Sequence, residues 1–540
     1  MTRRSANPTT AFAVLAALGT GLRLALVLGG WTDKSLLPDD AFYYFTIARN
    51  VVQGHGASFD GVAPTNGFHP LWLVVILPIF ALAGAAGSGL WAPVRAALAL
   101  TALLDLATGW MLFRMLRRLG HERGAIWACA LWFLFPTQVF MGLQGLECSL
   151  SLCVFALLLT VMLRVYEERN LTPRGGALIG FIVGLAFLAR TDNGVLAPLT
   201  VGVAAFAFAV RDGQSWKRLP VFLAAAAGTA ALMTLPWFGW NLATFGTPWQ
   251  VSGQAKLSNP LLGGHLDAAA ATYHIPHWAA RFSLLVGFLW RPIQFAIGTL
   301  VRWPLFIGLS ALAAATLALL CVPLARRLRT TRSNAEVALI AGAAAYLLGH
   351  GAVYAFVMGF YVEWYAAVPG LVVLFLFVGI GADAVLEAAS PRRRAACAAL
   401  LVALGVLLYA WHFAGDGRDA PRFAERGALG VLRHIEEHAP GARRIGIFGF
   451  GAVGYFTPEV GAYRIVGLDG MVNNQGVVAW HQGRFLEYLE STVDVVFSIG
   501  GTRDLDYMLG QERVPEFLAR YPQWFPGAAG YGRPALGGTR

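Results

Sequence analysis

The sequence predicts an α-helical polytopic membrane protein of about eleven transmembrane helices plus one re-entrant or interfacial segment, with a small α/β domain at its C-terminal end. Three observations predict it. Hydrophobic residues make up 57% of the 540 and charged residues 13%, about half the roughly 25% charged share of a soluble globular chain. A chain so apolar cannot cover one water-soluble core with polar surface. Apolar runs recur at spanning length, and after residue 415 the composition turns charged and mixed. Disorder, a collagen-like fibre and a secreted disulfide scaffold are excluded. The five cysteines lie in apolar runs without metal spacing or a disulfide framework. The net charge of +11 reads as cytoplasmic Lys/Arg loops of a membrane protein rather than as a nucleic-acid surface.

The crossings fall at about 11–30, 93–113, 124–142, 148–162, 175–189, 195–210, 220–240, 304–324, 335–358, 366–386 and 395–413. The first follows Arg3 and Arg4 and lacks a small-residue cleavage site, so it reads as a retained helix. Basic clusters stand at Arg114, Arg117, Arg118 and Arg123; at Arg164, Arg169 and Arg174; at Arg211, Lys217 and Arg218; at Arg326, Arg327, Arg329 and Arg332; and at Arg392, Arg393 and Arg394. With the N-terminus inside, every cluster lands inside, as the positive-inside rule requires. The parity holds only if the run 70–84, short and interrupted by Pro78, does not cross. The segments 31–69, 143–147, 190–194, 241–281 and 359–365 then share the outer face with the tail. The expected organisation is a transmembrane module over 1–414, with 31–69 as its first outer loop, and a soluble domain over 415–540. Within that domain the pattern reads strand 444–448, helix, strand 463–466, helix near 480–489 and strand 493–498, an α/β alternation.

Polar residues out of place in so apolar a chain concentrate in the outer loops. Pro38-Asp39-Asp40 opens an amphipathic run that reads as a helix lying along the membrane surface, with Phe42 and Phe45 at the interface. One Asp is well explained as a helix cap. Two in a row repel, so one carboxyl has reason to hold a raised pKa and serve as a base; capping and catalysis weigh about equally. Asn66-Gly67 is a turn signal before Pro70, and His69 reads first as a hydrogen-bonded interface residue. Glu147 enters a helix, where capping explains it. Arg190 and Asp192 share a tight turn; they can pair, and an Arg at the membrane edge can also meet a lipid phosphate. Lys256 has snorkelling as its plain reading, and Glu363 lies among Tyr361, Trp364 and Tyr365. Arg23 and Asp105 are intramembrane charges and need partners, which predicts that they pair. Gly449-Phe450-Gly451-Ala452-Val453-Gly454 fits the dinucleotide fingerprint after a strand, but its outer placement separates it from the NAD pool. The glycines read instead as a tight, closely packed strand-to-helix turn.

The segments 38–44, Thr65-Asn66-Gly67-Phe68-His69-Pro70-Leu71-Trp72, Gly145-Leu146-Glu147 and Arg190-Thr191-Asp192 together resemble the GT-C membrane glycosyltransferases. Within that superfamily they are most similar to bacterial arabinofuranosyltransferases that use a polyprenyl-phosphate donor. Trp240-Asn241, Phe245-Gly246, 252–256, Gly454-Tyr455-Phe456 and Leu468-Asp469-Gly470 fit as well. The resemblance implies an inverting, single-displacement transfer of a sugar from a polyprenyl phosphate to a hydroxyl of a glycan, lipid or protein acceptor in the cell envelope. It implies a periplasmic active site on the bacterial inner membrane. It implies that the first-loop pair supplies the base: Asp39, with Asp40 as its positioning partner or as a second candidate for the base. Arg190 and Lys256 are then the cations for the departing phosphate, since a leaving group already negative needs charge rather than an acid. Glu147, His69, Asn66, Tyr43, Asp192 and Glu363 complete the expected donor and sugar contacts. No metal ligands are read from the sequence and no cofactor is required, although a divalent cation is compatible with the chemistry. Phe68-His69-Pro70 stands where aminoarabinose transferases carry Glu-Lys-Pro, which argues against that substrate class. The competing class is a transporter or flippase of a lipid-linked sugar, which would place its polar sites near the midplane.

Overall fold

The computed structural model describes residues 7–32, 37–169, 171–258, 277–286, 311, 315, 318, 321–358, 361–383, 390–415, 423–498, 502–523 and 530–532. In chain order the helices of the apolar part are α1 (Pro8–Leu28), α2 (Asp39–Val52), α3 (Pro70–Ala85), α4 (Trp91–Arg118), α5 (Glu122–Leu134), α6 (Pro136–Gly142), α7 (Cys148–Glu167), α8 (Pro173–Ala189), α9 (Asn193–Asp212), α10 (Leu219–Phe245), α11 (Val251–Ser258), α12 (His277–Leu285), α13 (Asn334–Ala352), α14 (Ala367–Val373) and α15 (Pro391–Gly415). The tail adds α16 (Phe423–His438), β1 (Arg444–Phe448), α17 (Gly451–Phe456), β2 (Arg464–Gly467), α18 (Asn474–His481), α19 (Phe485–Thr492), β3 (Val495–Ser498), α20 (Thr502–Leu509), α21 (Val514–Arg520) and β4 (Gly530–Gly532).

Among the described residues, eight helices are long and apolar enough to cross a membrane, or nine if the bent pair α5 and α6 is one span. The chain is therefore a polytopic helical membrane protein. The bend of 58° follows from Pro136, which pushes Phe135 into extended backbone with ψ 131°. The expected span 304–324 lies largely outside the described residues. Helix α3 has 16 residues with Pro78 inside it, so it rises about 24 Å, short of a hydrocarbon core of about 30 Å.

The chain forms two compact units, each built from non-contiguous segments. The first comprises Met1–Gly29, Leu98–Pro236 and Gly264–Arg418. Its helices start on conventional signals. The Asn7 side chain accepts from the Thr9 N–H with Pro8 at the first helical position, and Thr172 and Ser333 cap α8 and α13 in the same way. Small residues let backbones approach: a Cβ on Gly176 or Gly180 would lie 2.2 or 2.1 Å from the carbonyl oxygens of Phe222 and Ala226, so α8 packs directly on α10. The expected Arg23–Asp105 pair is present and fully buried, Nε to Oδ2 at 3.0 Å. The remaining guanidinium donors reach the Phe133, Trp132 and Gly19 carbonyls at 2.8, 3.1 and 3.2 Å. Buried charge is tolerated here because each guanidinium nitrogen meets an acceptor.

The second unit comprises Gly30–Ala97, Trp237–Gly263 and Asp419–Arg540. Its sheet has the order β2-β1-β3-β4, the first three parallel and β4 antiparallel to β3. The strands read RIGIF, RIVG and VVFS, the near-continuous apolar runs of a sheet covered on both faces. The first three strands lie within two residues of their expected bounds; β4, three residues long, is too short to show a period. Helix α2 lies against α17 and α3. Phe42 and Phe45, expected at a lipid interface, are completely buried. Phe42 packs on Trp91, Tyr455 and Phe456, and Phe45 on Phe80 and Tyr455. The amphipathic face finds protein because α17 supplies an aromatic surface that sequence periodicity does not reveal.

Candidate active site

In the second unit, the N-cap of α2 is Pro38, which offers no capping side chain. The Asp39 carboxylate instead caps a different helix. It accepts the Gly451 N–H at 2.5 Å and the Ala452 N–H at 3.1 Å, the free donors at the start of α17. The turn into α17 uses Gly449 at φ +62°, a left-handed conformation that favours glycine. In the dinucleotide fingerprint this helix start receives a pyrophosphate; here Asp39 fills it. Ten residues along α2, Arg49 donates to the Tyr455 carbonyl at 2.5 Å and the Gly454 carbonyl at 2.9 Å. Helix α2 thus sets an anion at the positive end of α17 and a cation at its negative end. A Cβ on Gly454 would stand 2.5 Å from the Phe59 ring, and one on Gly451 3.0 Å from the Asp39 carbonyl and the Tyr43 ring. Close packing is therefore what these glycines permit.

Beside this clasp, the Tyr43 hydroxyl donates to Asp469 Oδ2 at 2.5 Å, and Asp469 Oδ1 accepts the Met471 N–H at 3.0 Å. Burial pushes the Asp39 carboxyl up to about 7; the two α17 amides oppose the rise, and the charges of Asp40 and Asp469 add to it. Burial likewise raises Asp469 to about 6, against the hydrogen bonds from Tyr43 and Met471, with Asp40 raising it and Lys256 lowering it. The structure thus groups Asp39, Asp40, Tyr43 and Lys256, and adds Asp469. The segment around Asp469 carried part of the family resemblance, yet the residue was not among the expected site residues. The available signal was one acid in an otherwise apolar stretch, 465–472.

Asn66 is completely buried and its amide is densely bonded. Nδ2 donates to Asn241 Oδ1 and to the Trp249 carbonyl, both at 3.1 Å; Oδ1 accepts the Val251 N–H at 2.9 Å and Asn474 Nδ2 at 2.8 Å. It joins the first loop to α11 and α18. The His69 N–H donates to the Tyr44 hydroxyl at 3.2 Å where α3 begins.

Glu147, Arg190 and Asp192 gather in the first unit. Arg190 donates to Glu147 Oε1 at 2.6 Å and to both Asp192 oxygens at 3.3 and 3.1 Å, with its guanidinium 5.2 Å from the centre of the Tyr365 ring. Tyr354 adds a hydrogen bond to Asp192 at 2.9 Å. For Asp192, burial would raise the carboxyl, but the charge and hydrogen bonds of Arg190, with the Tyr354 hydrogen bond and the His350 charge, together outweigh it and hold it at about 2. The plain pairing of Arg190 with Asp192 is the one observed, and Glu147 joins it rather than capping α7. Glu363 opens a short 3-10 turn, Glu363–Ala366; its side chain lies outside the described residues. The expected residues therefore form two groups, one within each unit.

Among the described residues, one group has ligand atoms near enough to share a metal ion: His434, Glu437 and His438 on α16, within 4.8 Å of one another. It is largely exposed and shares no residue with either group above.

A family model described as dolichyl-phosphate-mannose-protein mannosyltransferase matches residues 75–240. No curated protein matches the chain. Among solved structures, the apo oligosaccharyltransferase of Archaeoglobus fulgidus aligns with a TM-score of 0.55 and 16% identity over 98% of this chain and 75% of that one. The oligosaccharyltransferase AglB from the same organism, in complex with an inhibitory peptide and a dolichol-phosphate, aligns at 0.51 and 14% over 97% and 74%. ArnT from Cupriavidus metallidurans bound to undecaprenyl phosphate gives 0.47 and 15% over 84% and 75%. The chain has the fold of the GT-C membrane glycosyltransferases, as the resemblance in its loops implied.

Proposed function

We propose that this GT-C-fold protein is an inverting glycosyltransferase of the bacterial inner membrane. It moves a sugar from a polyprenyl phosphate to a hydroxyl of a cell-envelope acceptor, on the periplasmic side where the positive-inside rule puts its polar loops and its α/β tail. Arabinofuranose is the sugar favoured by the sequence resemblance. The observation that carries this reading is Asp39, a half-buried residue whose carboxyl is poised at about 7 and held in place by two backbone amides. A base that titrates near the working pH is what activation of a hydroxyl needs.

In the reaction, the acceptor hydroxyl gives its proton to Asp39 while its oxygen attacks the anomeric carbon. The bond from that carbon to the phosphate oxygen breaks on the opposite face, and the polyprenyl phosphate leaves with its negative charge. Asp40 and Asp469 keep Asp39 basic by repulsion. Lys256 meets the phosphate. The charge of Arg190 is already balanced by Glu147 and Asp192, so that group shapes its surroundings rather than supplying a spare cation.

The test is an assay of purified protein with a panel of polyprenyl-phosphate sugars, read by mass spectrometry of the product. Asp39→Asn is expected to bind donor normally and lose about 10²–10⁴-fold in turnover. Lys256→Ala is expected to weaken donor binding as well. If folded Asp39→Asn and Asp40→Asn proteins both keep full turnover, Asp39 is only the cap of α17 and the mechanism is wrong. A dead Asp40→Asn beside an active Asp39→Asn swaps the two roles.

A further inference from the structure

Helix α16 carries three side chains that neither group of expected residues uses. One face of the helix is fixed. Ala428, Leu432 and Ile435, four and three residues apart, are buried. A Cβ on Gly427 would stand 2.9 Å from the Phe450 ring just before α17, so the helix is closely seated there. At 3.6 residues per turn, the face turned away from that contact holds His434, Glu437 and His438, the first half-buried and the other two exposed. Positions i, i+3 and i+4 of a helix are neighbours, and one ligand atom from each of the three lies within 4.8 Å of the other two.

These side chains have the chemistry of a metal chelate. The His438 Nδ1–H donates to the His434 carbonyl at 2.9 Å. A carbonyl only accepts, so the neutral ring keeps its lone pair on Nε2. Metal-binding histidines are oriented by such a bond from the other ring nitrogen. Among the described residues, no hydrogen bond or salt bridge takes up the Glu437 carboxylate, although Arg433 stands one turn before it. Arg433 is set against Glu436 and Glu437, so this turn is net negative while both imidazoles are neutral. It is also the last turn of α16, where free carbonyls make the helix end negative and favour a cation. Two imidazoles and one carboxylate select the metal. Mg²⁺ and Ca²⁺ take shells of oxygen ligands, whereas imidazole suits zinc and its transition-metal neighbours. With bonds of about 2.0–2.1 Å, the ligand atoms of tetrahedral zinc sit about 3.4 Å apart, so side-chain rotation on a fixed helix closes the shell. Three protein ligands leave the fourth position to water.

We infer that His434, Glu437 and His438 form a zinc site on the exposed face of α16. The bound ion staples the last turn of the helix. The inference does not rest on the transferase reading. The test uses the full-length protein in nanodiscs, freed of any polyhistidine tag and stripped with EDTA. At about 10 µM free Zn²⁺, enough to fill a micromolar site, the native protein is expected to hold one equivalent more than His434→Gln/His438→Gln. Glu437→Gln is expected to weaken that extra equivalent about tenfold or more, since loss of a supporting partner alone costs that much. Co²⁺ is expected to give the intense visible bands of a four-coordinate ion with the native protein and not with the double variant. Zn²⁺ is expected to slow hydrogen exchange over 430–438 in the native protein alone. Matching melting curves of the metal-free proteins separate loss of the site from loss of the fold. The inference is overturned if native protein and double variant bind equal Zn²⁺, if excess Mg²⁺ or Ca²⁺ displaces the extra equivalent, or if exchange over 430–438 ignores Zn²⁺. If Glu437→Gln binds Zn²⁺ as tightly as the native protein, the three-ligand site falls.

Discussion

Asp39 combines two roles that sequence reasoning sets against each other. Capping and catalysis compete as explanations of one Asp in a loop, but an anion fixed at a helix start is also an oriented one. pH separates the two. Because the folded protein raises the Asp39 carboxyl to about 7 and Asp469 to about 6, the folded state holds protons that the unfolded chain releases near 4. Their contribution to stability is therefore complete below about 4 and is lost as pH rises to about 7. Activity runs the other way, since the base must be ionised. The melting temperature is expected to fall and kcat/KM to rise over the same interval. Asp39→Asn should flatten the melting profile, while Asp469→Asn, which removes a charge that helps raise Asp39, should move the rise in kcat/KM to lower pH without abolishing it. A pH-independent rate with native Asp39 present would remove it from the proton transfer.

At the scale of elements, the α2–α17 clasp is the device that ties the first loop to the tail domain within one unit. Arg49 bonds two carbonyls at the end of α17 and lies 5.2 Å from the Tyr455 ring centre. A hydrogen bond to a charged group contributes about 1.5–3 kcal/mol net, so Arg49→Met is expected to destabilise this unit by about 2 kcal/mol or more. Gly454→Leu is expected to be worse, because Phe59 occupies the space at 2.5 Å and overpacking typically adds about 1–3 kcal/mol of strain. Chemical denaturation of the two variants, with hydrogen exchange at 451–456 as the local readout, checks this. Native exchange protection in both would mean that the clasp contributes nothing. The same geometry predicts that nicotinamide dinucleotides do not bind at micromolar concentration, since the anion site of α17 already holds a carboxylate.

For the whole molecule, the five basic clusters make one topological statement. If the clusters face the cytoplasm, a reporter active only in the cytoplasm and fused at Arg540 is expected to stay silent, and one active only outside is expected to work. The reverse result would move Asp39 and Lys256 to the wrong side for a polyprenyl-phosphate sugar presented outside.

The sequence by itself determined the class of the protein, because apolar runs against a bilayer are a matter of composition and length alone. It also determined the sheet strand 444–448 and, but for its first two residues, the strand expected at 493–498, whose short apolar runs are local, and the Arg23–Asp105 pair, because two charges in lipid leave each other few alternatives. It singled out Asp39 and Asp40 from adjacency. Only the tertiary structure decided what those residues touch. Asp39 meets Gly451 across 412 positions and Tyr43 meets Asp469 across 426. No periodicity or spacing rule reaches that far. The burial that lifts Asp39 and Asp469, the aromatic surface that hides Phe42 and Phe45, and the Glu147 carboxylate that joins Asp192 on Arg190 come from chain segments remote in sequence. A pKa, a buried face and an ion pair are properties of what surrounds a residue, and that is set only when the chain has folded.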